Sequence, residues 1–125
     1  MSGVVLVKEG VQFTRIAPGG FRLLAAIEHT ARELDVDLTI TCACEGHEPT
    51  DPHPQGKAYD IRISDLAQQQ PHQVLQAILN DVQIGALDEV TPVSKGFATM
   101  YFYGQIEIDH IHVQVRKGVD YDGSG

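Results

Sequence analysis

The sequence is short of basic residues: nine Lys and Arg stand against seventeen Asp and Glu, for a formal net charge of -8. No stretch gathers enough positive charge to neutralise a phosphate backbone, which excludes a general nucleic-acid binder. The same deficit opposes docking on anionic membranes. Long apolar runs are also missing, so no segment reads as inserted in a bilayer. The opening MSGVVLVKEG has neither a basic n-region nor a small-residue cleavage site, and does not read as a signal peptide. The expectation is cytoplasmic synthesis, with recycling inside the cell or phage-type release as the routes to a substrate. Cysteine is scarce. Cys42 and Cys44 are too close in sequence for an unstrained disulfide and read as reduced packing thiols, which suits a reducing compartment.

What is present suffices for one folded domain. The chain has 125 residues, 42% of them hydrophobic, and no low-complexity stretch or internal repeat. A domain of this size hides roughly two-thirds of its unfolded surface and needs no staple. We expect a single domain over residues 1–125, with disorder at Ser2-Gly3 and a flexible tail over 118–125. Composition does not fix the oligomeric state.

Val4 to Val7 is a short strand or arm, and Pro18-Gly19-Gly20 marks a turn. Phe21, Leu24, Ile27, Ala31 and Leu34 then form a helical stripe that stops at Asp35 to Asp37. Leu38 to Ala43 is β-branched and reads as a strand. The segment Glu45 to Gly56, rich in proline and glycine, is a loop. Lys57 to Ser64 alternates, with Tyr59, Ile61 and Ile63 on a core face and Ala58, Asp60 and Arg62 on a cleft face. A second helix is expected from Val74, Leu75, Ile78, Leu79 and Val82, with Pro71 near its first turn. Val90 to Lys95 is a loop or short strand. Phe97 to Tyr103 and Ile106 to Val115 read as strands joined at Gly104-Gln105. The fold class is α+β: a mainly antiparallel sheet of four or five strands with two main helices packed on one side.

Six histidines are present. His29 and His72 lie in helical stretches and read as surface residues. His47 and His53 lie in the central loop, His110 and His112 in the last strand. His47-Glu48 lacks the second histidine of a helical zincin motif, and an alternative metal site at His47 with Cys44 is disfavoured. In His53-Pro54-Gln55-Gly56-Lys57-Ala58-Tyr59-Asp60, a loop histidine precedes a glycine and an aspartate follows on the cleft side of a strand. His110 and His112 add two imidazoles on one strand face. Two nitrogens and a carboxylate oxygen make a catalytic zinc set with a fourth position for water. Tyr101 and Tyr103 are candidates to line the cleft.

The pattern His-x-x-Gly-x-Ala-x-Asp, followed some fifty residues later by Asp-His-x-His, resembles the zinc D-Ala-D-Ala carboxypeptidase and L-alanyl-D-glutamate endopeptidase family, which has the hedgehog/DD-peptidase fold. The resemblance covers His53 to Asp60 and Asp109 to His112. It implies Zn2+ held by His53, Asp60 and His112, Asp109 as the general base that activates metal-bound water, and His110 beside the oxyanion. It implies a peptidoglycan-derived peptide as substrate. Strict alternation puts Asp109 on the face opposite His110 and His112, so Asp109 reaches the metal only if regular strand geometry starts after it; Glu107 is the competing base. Asp51 stands where the family often has serine. Cys42-Ala43-Cys44-Glu45 lacks the family's arginine, leaving Arg62 as the nearest candidate for a carboxylate clamp and favouring endopeptidase over carboxypeptidase action. The alternative function is a non-catalytic, zinc-stabilised peptide-binding module.

Overall fold

Helix α1 spans Pro18–Leu34. Pro18 occupies its first turn, where a missing N–H costs no hydrogen bond, and Asp35 closes it in the left-handed conformation at φ 53°. Pro18-Gly19-Gly20, expected as a turn, therefore starts the helix. The buried stripe is also rotated from the expected one: Gly19, Gly20, Leu23, Ala26, Ile27, Thr30 and Ala31 face inward. Phe21 is 60% exposed. Small residues let the helix approach the sheet closely, and a reading led by bulky side chains misses that face.

The computed structural model describes residues 3–44, 51–64, 66, 70–83, 90–119 and 121. Seven strands form one sheet: β1 (Val5–Val7), β2 (Leu38–Cys42), β3 (Ala58–Arg62), β4 (Thr91–Val93), β5 (Gly96–Ala98), β6 (Phe102–Ile106) and β7 (His110–Val115). Their order is β1-β2-β3-β7-β6-β5-β4. Only β1 and β2 run parallel, joined by α1; every other pair is antiparallel. The expected class, α+β with two helices packed against a mostly antiparallel sheet, holds, but four or five strands was an undercount. Three of the strands have only three residues each. The Gly104-Gln105 hairpin is corrected too. Both residues lie inside β6, and the turn into β7 falls at Glu107 to Asp109.

Helix α2 (Pro71–Val82) buries Val74, Leu75, Ile78, Leu79 and Val82 against α1 and the sheet. Tyr59, Ile61, Ile111 and Val113 meet them from β3 and β7. Alternation then turns Asp60, Arg62, His110, His112 and Gln114 to the opposite face. In the carboxy-terminal segment Tyr121 packs its ring on Phe102 and Tyr101, with centroids 5.3 and 5.6 Å away.

Tyr59 is 1% exposed, and among the described residues its hydroxyl has no hydrogen-bond partner. Burial, with Cys44 nearby, pushes the phenol well above its ordinary value. A group whose pKa is raised on folding contributes stability that is complete below its unfolded pKa, near 10, and lost as pH rises beyond it. Tyr59→Phe is expected to stabilise the protein by about 1 kcal/mol at neutral pH, by removing an unsatisfied polar group. It should also flatten the stability loss above about pH 10. Urea titrations at neutral and alkaline pH read both effects; a destabilised Y59F would reveal a hidden partner for the hydroxyl.

Candidate metal centre

The site begins with the register of β3 and β7. Asp60 pairs with His112 and Arg62 with His110, so two carboxylate-or-cation positions lie beside two imidazoles on the face away from the helices. His53 arrives from the loop before β3. Asp51, standing where serine was expected, accepts the His53 backbone N–H at 2.9 Å, and the Gly56 N–H donates to the His53 carbonyl at 2.9 Å. Gly56 has φ +73°, and a Cβ there would overlap the Arg15 carbonyl. A Cβ on Gly20 would in turn overlap the Gly56 carbonyl. The tight 53–56 turn against α1 thus requires glycine on both sides.

Asp60 is the hub. His112 Nδ1 lies 2.9 Å and His53 Nε2 3.4 Å from Asp60 Oδ1, and His110 Nε2 is 3.7 Å from Oδ2. Burial works against ionising Asp60, but hydrogen bonds from His112 and His53 override it and hold the carboxyl well below the usual range. Burial likewise disfavours the His53 imidazolium, and Asp60 with the Ala43 carbonyl more than compensates, raising the His53 pKa.

The outward nitrogens are anchored. His53 Nδ1 donates to the Ala43 carbonyl at 2.7 Å, and His112 Nε2 donates to Gln114 Oε1 at 2.7 Å. Metal-binding histidines are oriented in this way, with one nitrogen tied back and the other presented. Donors about 2 Å from a common tetrahedral zinc lie about 3.3 Å from each other. The His53–Asp60 and His112–Asp60 separations of 3.4 and 2.9 Å are of this size. Among the described residues, the group with ligand atoms close enough together to hold a divalent ion is Cys42, His53 and Asp60. Gln114→Ala is expected to weaken zinc binding by about 10- to 100-fold without unfolding the protein. Competition titration with a chelator measures this, and an unchanged affinity would contradict the anchoring role of Gln114.

Cys42, read as a packing thiol, joins this cluster. Ligand atoms of Cys42, His53 and Asp60 lie within 4.8 Å of one another, a group capable of holding a metal ion. Cys44 is buried and donates to the Arg15 carbonyl at 3.0 Å. Its suggested partner His47 falls outside the described residues, as does Glu48.

His110 sits between two carboxylates. Its Nδ1 donates to Asp109 Oδ1 at 2.8 Å and its Nε2 to Glu107 Oε2 at 2.7 Å. Burial opposes the imidazolium, but Asp109, Asp60 and Glu107 raise the His110 pKa overall. Strand β7 starts at His110, so Asp109 lies before the regular alternation, and its side chain is 86% exposed. The hydrogen bond from His110 holds the Asp109 carboxyl below its ordinary value. Glu107 is engaged at both oxygens, since Gln105 Nε2 donates to Oε1 at 2.6 Å. A cavity of about 550 Å³ opens here, lined by Lys8, Thr41, Arg62, Asp109 and His110. The two tyrosines part company: the Tyr103 hydroxyl donates to Gln105 Oε1 at 3.0 Å, whereas Tyr101 packs on Tyr121.

The chain matches no family model, no curated protein and no solved structure. It is an α+β domain carrying a Cys/His/Asp cluster consistent with a zinc-binding site. Among the described residues, no helix is long and apolar enough to cross a membrane.

Proposed function

We propose that this protein is a zinc-dependent hydrolase of a peptide bond in peptidoglycan stem peptides, with His53, Asp60 and His112 as the metal ligands. The observation that carries the reading is the convergence of two imidazole nitrogens on one Asp60 oxygen while their outer nitrogens are tied to Ala43 and Gln114. A zinc ion bound there would supply Lewis acidity, polarising a carbonyl and acidifying water. Asp109 takes the proton of the attacking water and returns it to the leaving amine. Its exposure on the cavity wall favours it over Glu107, whose two oxygens are committed to His110 and Gln105. His110 orients this base, since its Nδ1 bonds the Asp109 carboxylate while its Nε2 is held by Glu107. Arg62 holds a substrate carboxylate from the same cavity. The stretch after β2 carries no arginine, which favours endopeptidase action.

The test is turnover of stem peptides by zinc-loaded protein, chelated protein and Asp109→Asn. Chelation should abolish turnover and added zinc restore it, and D109N should lower kcat by about 10²- to 10⁴-fold. Turnover that survives chelation, or full activity in D109N, sinks the mechanism. A second reading, a zinc-stabilised peptide-binding module, draws support from Cys42, an additional donor in the cluster. It predicts zinc binding with no turnover in any sample.

A further inference from the structure

We propose that Cys42 is itself a ligand, so that the ion is held by four protein donors: Cys42, His53, Asp60 and His112. This rests on the metal-centre reading above and adds to it a soft donor that selects zinc over harder divalent ions. The case starts in the β2–β3 ladder. Ile40 pairs with Ile61, so an unbroken antiparallel register would set Thr41 opposite Asp60 and turn Cys42 with Tyr59 toward the core. The observed partner of Asp60 is Cys42, because the register shifts between Ile40 and Cys42. One extra residue, Thr41, is accommodated by that shift, which re-aims the following side chain as a bulge does beside a site.

The consequence is chemical. The bulge exchanges a hydroxyl for a thiol next to Asp60, and brings a Cys42 ligand atom within 4.8 Å of those of His53 and Asp60. Cys44, two residues on, donates to a backbone carbonyl and is not a member of the cluster. A shift that only relieved strain in the ladder would have no reason to place the single ligand-type side chain of β2 among the donors. Thiolate is a poor ligand for magnesium, calcium or manganese and a strong one for zinc. On binding, the Cys42 S–H bond breaks, its proton goes to solvent and the sulfur–metal bond forms. Four protein donors would fill the tetrahedral shell typical of structural zinc, so hydrolysis at this centre would require the ion to accept a fifth ligand.

Cobalt(II) serves as the spectroscopic probe in place of zinc, used with the full chain. Wild-type protein should bind one equivalent and show intense near-ultraviolet thiolate-to-cobalt absorption. Cys42→Ser should still bind cobalt, with the band lost and zinc affinity lower by about 10- to 100-fold. Cys44→Ser should keep the band. Zinc should also protect Cys42 of wild-type protein from iodoacetamide, read by mass spectrometry. Stoichiometric cobalt binding without a thiolate band in wild type overturns the role of Cys42 while leaving His53, Asp60 and His112 as ligands. A wild-type protein that binds neither cobalt nor zinc overturns the metal centre as well.

Discussion

Asp60→Ala is expected to abolish zinc binding, lowering affinity by about 100-fold at the least, since losing even an outer-shell partner costs 10- to 100-fold. The size follows from the position of the carboxylate. Three imidazoles, from His53, His110 and His112, lie within 3.7 Å of its oxygens, and among the described residues no other acid touches all of them. Removing it takes away one ligand and the negative charge that draws two others together. Asp60→Asn should do nearly the same damage, because it keeps the shape but loses the charge. Isothermal titration of zinc into the chelated protein measures the loss. Thermal or urea melts give an independent readout: zinc at about 100 times its Kd should stabilise wild type by about 2.7 kcal/mol and leave D60A unmoved. A D60A protein that still gains stability from zinc would place the ion elsewhere.

Gly56→Ala is expected to cost about 2–5 kcal/mol, from roughly 1–2 for forcing a side chain into left-handed backbone and roughly 1–3 for overpacking. The new Cβ would overlap the carbonyl of Arg15 and crowd Ile16. The Gly56 carbonyl also accepts the Ala17 N–H at 3.1 Å, so a shift of this turn disturbs the start of α1. Gly10 is the internal control. It has φ +91° but, among the described residues, nothing within 4 Å of a Cβ, so Gly10→Ala should show the conformational part alone. Urea midpoints compare the two. Because the same turn sets His53, G56A should weaken zinc binding as well as stability; equal costs at positions 10 and 56 would mean that the loop yields without strain.

These positions also show what a sequence reading can reach. The alternation of Tyr59, Asp60, Ile61 and Arg62 separates a core face from a polar face without tertiary information, and β3 has that pattern. The heptad-like spacing of Val74, Leu75, Ile78, Leu79 and Val82 likewise yields α2 and its buried stripe. Phe21 misleads for a physical reason: its bulk suggests core, but the helix face that meets the sheet is made of small residues. The three-residue strands are too short to carry any period. Sequence preferred Asp109 to Glu107, but only the start of β7 at His110 shows that Asp109 precedes the regular alternation. The nearness of Cys42 to His53 and Asp60 was not legible because the register shift at Thr41 is a property of two strands together. A cysteine two residues after an apolar strand position reads as core until its partner strand is aligned.

The proposed function requires a divalent ion where His53 and His112 converge on Asp60. Anomalous diffraction at the zinc absorption edge, from crystals of zinc-loaded protein, tests it most directly. The expected result is one peak per chain at bonding distance from His53, Asp60 and His112. A zinc-loaded crystal with no peak there, its histidines still hydrogen-bonded to the Asp60 carboxylate, would contradict it.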